Sequence, residues 1–358
     1  MTRVAFYAPM KPPDDPVPSG DRTMAQAILL ALSMAGAQAH LVSRFRSRDK
    51  AGNPAFQNDK FTEAREEISR LIAHGKTEGW HVWVSYHNYY KAPDLIGPAV
   101  SQALNIPYIV IEATRARKRL TGPWALYAAA AEAACDAADA LLYMTQRDAE
   151  ALTTYRAGAQ HLVHFPPFLT TQTLPAETTR NGNILTIGMM RHGDKFASYQ
   201  IIAETLSELS CTGWRLIVAG DGPARPEVEG ILAPFASQIT FLGAVTQEAL
   251  SAVYATSSIL FWPGVNEAFG MAYLEAQAAG VTVLAQDRPG VRDVLEPSAA
   301  YPSPEAGART LAARLDLLLT HPKLTLKLGQ AARRRVAQRH LLNDASARLL
   351  SVIEQVRA

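Results

Sequence analysis

The sequence predicts an α/β protein built from two doubly wound, parallel-sheet domains. The 358-residue length suits two domains of ordinary size, each able to bury its own core. Short apolar runs alternate with helical patterns in both halves, as in βαβ units whose strands are covered on both faces. Between the halves, residues 166–182 (PPFLTTQTLPAETTRNG) are rich in Pro, Thr and Gly and show no period, so they read as the boundary. The expected division is a first domain at 1–168, a linker at 169–182, a second domain at 183–340 and a terminal helix at 341–358.

Composition narrows the functional classes. An apolar fraction of 48% with 19% charged residues is that of a soluble globular chain. A net charge of +2 predicts no bulk affinity for nucleic acid. Cys135 and Cys211 are far apart and lack metal-ligand spacing, so they read as small buried residues of a reducing compartment. The N-terminal MTRVAFYAPM has no apolar h-region, and no run approaches a transmembrane length. The expected location is cytoplasmic.

In order, residues 4–8 form a strand, followed by a Pro-rich loop at 9–18 and Ser19-Gly20-Asp21. A helix at 22–36 closes on Gly36, and a strand at 39–43 completes a right-handed βαβ unit. Gly20 is either a plain loop glycine or a point of close backbone approach to a ligand. A charged amphipathic helix at 60–74 precedes a strand at 81–86 (HVWVSY), the loop HNYYKAPDLIGP and a helix ending at Leu104. Further strands are expected at 107–111 and 140–144. Ligands bind at the carboxyl ends of such strands. His87, Asn88, Lys91, Asp94 and Glu112 are therefore candidates, with His87 alternatively a structural histidine. Arg115, Arg117, Lys118 and Arg119, near Trp124, are either a solvated loop or a surface for an anionic ligand or a lipid headgroup. Arg44, Arg46 and Arg48 form a weaker cluster.

The second half has expected strands at 183–188, 215–219, 239–242, 258–261 and 282–285, with helices between. Its organising stretch is 262–280, WPGVNEAFGMAYLEAQAAG. The strand before it stops at Pro263-Gly264, and a helix opens near 268–270 and closes at Gly280. Glu267 lies in the loop before the helix and Glu275 inside it. Between them Ala268, Phe269, Gly270 and Met271 form the helix start, and the last three would present N–H groups at its positive end. The set suits a ligand with an anionic middle and hydroxyls at both ends, such as a nucleotide-sugar; two incidental acids on a solvated helix are the alternative. Gly188 to Lys195 follows one strand and contributes Arg191. Ala219-Gly220-Asp221-Gly222-Pro223 follows the next, and Phe241-Leu242-Gly243-Ala244-Val245 ends a third. The last helices, at 305–319 and 324–338, carry Arg333-Arg334-Arg335, read as a solvated face.

Taken strand by strand over 183–294, these loops resemble the donor site of the GT-B glycosyltransferases, in particular the retaining family 4. The resemblance implies two Rossmann-like domains facing a central cleft, with the helix at 343–356 crossing back to the first domain. It implies retaining transfer of a sugar from a nucleoside-diphosphate sugar, without metal or cofactor. Lys195 and a displaced Arg191 would hold the diphosphate, and Glu267 with the amides of Phe269, Gly270 and Met271 would hold the sugar. Glu275 would bind ribose, while Gly188, Gly220 and Val245 would line the nucleotide. Gly20, His87, Lys91, Glu112 and Arg115 become acceptor-side candidates, and Arg115 to Arg119 a candidate contact with the inner face of a membrane. Three positions depart from the family pattern: Ser19 replaces one of two glycines, Met189 stands where an Arg is usual, and Glu112 stands where a histidine is usual. No Asp-x-Asp occurs, which argues against the metal-dependent GT-A architecture. A glycosidase fits poorly, because its two carboxylates must flank the scissile bond. A GT-B phosphorylase, an epimerase or a nucleotide-sugar-binding relative without transfer stays open. The acceptor, the donor base and sugar, and the oligomeric state are not legible.

Overall fold

A computed structural model describes residues 1–17, 19–177 and 180–358. Pro18 of the Pro-rich loop and Thr178 and Thr179 of the linker lie outside the described residues. The chain forms two compact units, Met1–Pro166 with Leu342–Ala358, and Pro167–Leu341.

In the first unit six strands form a wholly parallel sheet: β1 (Thr2–Tyr7), β2 (Ala37–Ser43), β3 (Val82–Asn88), β4 (Tyr108–Ala113), β5 (Ala140–Tyr143) and β6 (His161–His164). Their order is β2-β1-β3-β4-β5-β6. β3 and β4 are buried along nearly their whole length, as expected for strands covered on both faces. The covering helices are α1 (Gly20–Met34), α2 (Pro54–Glu78), α3 (Gly97–Leu104), α4 (Ala125–Ala137) and α5 (Gln146–Thr154). α1 starts where Ser19 accepts a hydrogen bond from the Arg22 amide. α2 begins six residues before the predicted start and ends four after the predicted end. Asn53 caps its first turn, Pro54 occupies the first position and Gly79 closes it at φ 62°. α4, α5 and β6 are additions to the sequence-based expectation.

The core of this unit holds a polar hub. Asp94, 2% exposed, accepts from Tyr108 Oη at 2.7 Å, from Ser85 Oγ, and from the amides of Ile96 and Gly97. Asn88 donates to the Ala131 carbonyl and accepts from the Asp94 amide. Asn88 and Asp94 are thus internal supports of the β3–α3 loop rather than ligand groups, a correction to their expected exposure at the strand end.

The second unit carries β7 (Ile184–Ile187), β8 (Leu216–Ala219), β9 (Ile239–Gly243), β10 (Ile259–Phe261) and β11 (Thr282–Leu284), all parallel, in the order β11-β10-β7-β8-β9. Its helices are α6 (Asp194–Ser207), α7 (Arg225–Leu232), α8 (Gln247–Thr256), α9 (Met271–Ala278), α10 (Val291–Val294), α11 (Gly307–Thr320) and α12 (Pro322–Arg339). The stretch from Pro167 onward is pinned to this unit. The Leu169 amide donates to the His340 carbonyl at 2.8 Å, and Arg333 donates to Pro175 O at 2.6 Å. Arg333 also bonds the Ala278 carbonyl, and Arg180 the Ala279 carbonyl, so two guanidiniums sit at the negative end of α9. Arg335 donates to Asp293 O. The 333–335 run therefore ties elements together through Arg333 and Arg335, which corrects its reading as a solvated face. The last helix, α13 (Leu342–Arg357), packs against α1 in the first unit and buries Leu342, Ala345, Leu349, Val352 and Ile353.

Both sheets have a point where strand order reverses direction, between β1 and β3 and between β7 and β10. The loops leaving those strands diverge to opposite sides, which opens a crevice at their carboxyl ends.

Candidate active site

In the second unit, the loops after β7 and β10 meet at the reversal point. Lys195, in the first turn of α6, pairs with the Glu267 carboxylate, which also accepts from Trp262 Nε1 at 2.9 Å. Lys195 Nζ lies 5.5 Å from the centre of the Trp262 ring, so one cation meets a carboxylate and an aromatic face together. Trp262 also fills the space beside Gly188: a Cβ there would come within 2.5 Å of the indole. In the sequence Trp262 is only the first residue after its strand, and nothing local marks it as a partner of Glu267.

The neighbouring turns are laced together by backbone. The Gly188 amide donates to Ala219 O, Met190 N to Asp221 O, and Gly220 N to Gly243 O. Gly220 has φ 149°, and a Cβ on it would lie 1.9 Å from the Gly188 carbonyl oxygen. Side chains are excluded there, and the ends of β7, β8 and β9 form a smooth floor. Val245 is half-buried just before Thr246, which caps α8. Arg191 is exposed and forms no ion pair among the described residues.

α9 starts later than expected, at Met271, because Gly270 adopts a left-handed φ of 76°. Tyr273 enforces that turn: its ring would collide with a Cβ on Gly270, and its hydroxyl bonds the Trp262 carbonyl at 3.0 Å. Ala268 is exposed, and its carbonyl lies against Gly290. Among the described residues the amides of Phe269, Gly270 and Met271 donate to no protein acceptor, which leaves the N-terminal amides of α9 available. Glu275 stands apart from the Lys195–Glu267 pair. It accepts from Tyr254 Oη at 2.9 Å and lines a cavity of about 370 Å³ with Leu169 and Leu174. Burial raises its carboxyl pKa, and the Tyr254 bond works the other way.

In the first unit the corresponding crevice joins the start of α1 to the loop after β3. His87 Nδ1 lies 2.9 Å from Asp21 Oδ1 and 4.0 Å from Glu112 Oε2. His87 and Glu112 both take positive φ, 64° and 57°, at the ends of adjacent central strands. Such backbone costs energy and is retained where side chains must be aimed. Burial alone would lower the His87 pKa, but Glu112 and Asp21 override it and push it up to about 9. Burial raises the Glu112 pKa, and its buried Oε2 has no hydrogen-bond partner. Asp21 is the residue sequence reasoning passed over; its place in the first turn after β1 was the available signal. Gly20 is exposed at the start of α1, with nothing within 4 Å of a Cβ placed on it.

Lys91 is half-buried beside Tyr90 and Trp124. Arg115 departs from its expected exposure. Its side chain is 2% exposed and is gripped at 2.6 Å by both Glu132 and Asp136 of α4. It anchors the loop and is spent on that task, so neither an acceptor nor a membrane reaches it. Among the described residues, no group of three or more His, Cys, Asp or Glu side chains gathers as a metal site. No described helix is long and apolar enough to cross a membrane.

Residues 181–321 match the family model described as glycosyl transferases group 1. A GDP-mannose-dependent alpha-mannosyltransferase of Mycolicibacterium smegmatis is 37% identical over 83 residues, covering 23% of this chain and 21% of that protein. An alpha-D-kanosaminyltransferase of Streptomyces kanamyceticus is 24% identical over 178 residues, 48% of this chain and 45% of the relative. The matched regions thus span less than half of these relatives' own lengths. Among solved structures, sucrose-phosphate synthase from Thermosynechococcus elongatus superposes with a TM-score of 0.74 at 16% identity, over 99% of both chains. Anabaena HepE in complex with UDP and glucose gives 0.71 at 11% identity, over 99% of this chain and 100% of that one. The fold is that of the GT-B glycosyltransferases.

Proposed function

We propose that the chain is a retaining glycosyltransferase that moves a sugar from a nucleoside-diphosphate sugar to an acceptor, without a metal. The observation that carries this reading is the Lys195–Glu267–Trp262 cluster at the strand reversal of the second unit, beside the open amides of α9. The match of residues 181–321 to the glycosyl transferases group 1 model supports the same reading. A cation, an acid and a helix N-terminus answer the three needs of a nucleotide-sugar: neutralised phosphates, bound hydroxyls and a site for developing negative charge.

In this reading Lys195 faces the diphosphate and stabilises the charge that grows as the glycosidic C–O bond breaks. Exposed Arg191 adds a second cation, in place of the one Met189 does not supply. Glu267 and the amides of Phe269, Gly270 and Met271 orient the sugar, and Glu275 takes the ribose hydroxyls. Gly188, Gly220 and Val245 form the floor against which the nucleotide lies. The departing phosphate oxygen accepts the acceptor's proton, so the new bond forms on the face the leaving group vacates and configuration is kept. The acceptor side falls to His87 and Glu112, with Lys91. The protein's place is the cytoplasm, and any membrane contact would run through Arg117 to Arg119.

Donor base and sugar are to be chosen between the chemistries of relatives: UDP with glucose in HepE, and GDP-mannose in the mycobacterial enzyme. A competing reading, nucleotide-sugar binding without transfer, draws on Met189 standing 43% exposed where a phosphate-binding cation is expected. Incubation with UDP-glucose and with GDP-mannose decides between them. Release of UDP or GDP that disappears in Lys195→Met supports transfer chemistry. Binding with no release, with or without candidate acceptors, supports the competing reading.

A further inference from the structure

The loops after β3 and β4 hold a cluster that the donor chemistry does not use. Tyr90 and Trp124 pack edge to face, 5.8 Å between centroids at 90°. Two cations lie on this pair. Lys91 Nζ is 5.1 Å from the Trp124 ring and 5.7 Å from that of Tyr90, and the Arg119 guanidinium is 5.8 Å and 5.2 Å from the same rings. Neither cation meets a carboxylate among the described residues.

The arrangement is built, not incidental. Arg115, gripped by Glu132 and Asp136, fixes the start of the loop. Arg117 stacks on Tyr155 at 4.5 Å, and the short 3₁₀ turn Arg117–Arg119 carries Arg119 to the aromatic pair. Gly52, at φ 72°, lies against the indole of Trp124, where a Cβ would stand 3.2 Å from the ring. Two like charges held on the same rings repel each other, and cation–π attraction offsets only part of that. The buried indole Nε1 of Trp124 also lacks a hydrogen-bond partner. Two unpaired cations and a leftover N–H donor are complementary to an oxyanion with several acceptor oxygens. The cluster is joined to the candidate acceptor side by a chain of ring contacts: His87 to Tyr89, tilted, at 4.8 Å, and Tyr89 to Tyr90, edge to face, at 5.5 Å.

We propose that Lys91, Arg119 and Trp124 bind a phosphate group of the acceptor, with the acceptor's reacting hydroxyl toward His87 and its ring over Tyr89. The acceptor is then a phosphorylated polyol or sugar, either free or as a lipid headgroup. Calling it an acceptor rests on the transferase reading; the phosphate site itself does not.

The test uses the full chain carrying Lys195→Met, so that the donor side's contribution to phosphate binding is reduced and the loss caused by the Lys91 and Arg119 variants is read against it. Calorimetric titration with inorganic phosphate and with glycerol 3-phosphate should show saturable binding. Lys91→Met and Arg119→Gln should each weaken it about tenfold or more, with Arg119→Lys retaining part of the affinity. A parallel arm measures co-sedimentation with vesicles of phosphatidylglycerol or of phosphatidylcholine alone. Retention on the first only, lost in the Lys91→Met/Arg119→Gln double variant, assigns the phosphate to a lipid; soluble binding without vesicle retention assigns it to a free molecule. Absence of binding in both arms, or binding that the double variant leaves unchanged, overturns the proposal. Nucleoside diphosphate binding by the chain with Lys195 intact is measured alongside, and its failure would count against the donor reading alone.

Discussion

Lys195 and Glu267 are 72 residues apart in sequence, and each would be an ordinary solvated charge without the other. Together with Trp262 they form a partly enclosed unit in which each side chain fixes the next. Replacing Lys195 by Met should leave the fold intact and lower donor turnover roughly 10²- to 10³-fold, the cost of removing a charge aimed at a developing anion. Steady-state nucleotide release, with circular dichroism as the fold control, checks this. Glu267→Gln keeps the Trp262 contact and loses only the charge, so it should cost less than Lys195→Met; equal loss would point to collapse of the whole loop. In the first unit His87 makes a pH signature. Its pKa rises from the ordinary value of 6.5 to about 9 in the folded protein, so its protonated form stabilises the fold. That contribution is complete below pH 6.5 and fades as pH rises through 9. Urea midpoints of wild type minus those of His87→Gln should therefore shrink between pH 6.5 and pH 9.5. A difference that is flat across this range contradicts the pairing with Asp21 and Glu112. The sequence placed His87 and Glu112 at strand ends correctly, yet their mutual contact and Asp21's part depend on strand order, which no local pattern encodes.

At the scale of elements, strands were the more legible parts. Runs such as HVWVSY and NILTIG are short, apolar and β-branched, and each became a strand within about two residues. α4 was missed because ALYAAAAEAACDA is mostly alanine, with little contrast between its faces. β6 was missed because HLVH is a short edge strand with no buried residue. The late start of α9 follows from Gly270 and Tyr273, a packing relation invisible in the helix pattern. The glycine turns make a sharp prediction. Gly220→Ala places a methyl against the Gly188 carbonyl and should cost roughly 2–4 kcal/mol or prevent folding of the second unit, measured by denaturant unfolding. Gly20→Ala, with open space around it, should be within about 0.5 kcal/mol of wild type. Arg333→Ala removes hydrogen bonds to the Ala278 and Pro175 carbonyls, and should cost about 1–2 kcal/mol without changing nucleotide specificity.

For the whole molecule, the chain leaves one unit at Pro166 and returns to it at Leu342. Composition alone marks the boundary stretch at 166–182, and the return of the helix at 343–356 was expected only from the family resemblance. Amphipathicity marked α13 as a helix, while its partner, α1, is a matter of tertiary packing. Truncation after Leu341 should therefore destabilise the first unit, which loses the burial of Leu349, Val352 and Ile353, and leave the second unit's melting transition in place. All of the donor-side groups belong to Pro167–Leu341. The central claim, that this unit holds a nucleotide-sugar through Lys195 and the start of α9, is most directly tested by thermal shift with UDP and GDP on the full chain and on Lys195→Met. Ligand binding to the folded state alone raises the melting temperature with concentration. The account predicts a saturable rise with one of the two nucleotides in wild type and a much smaller one in Lys195→Met. No rise with either nucleotide, or an equal rise in both proteins, would contradict it.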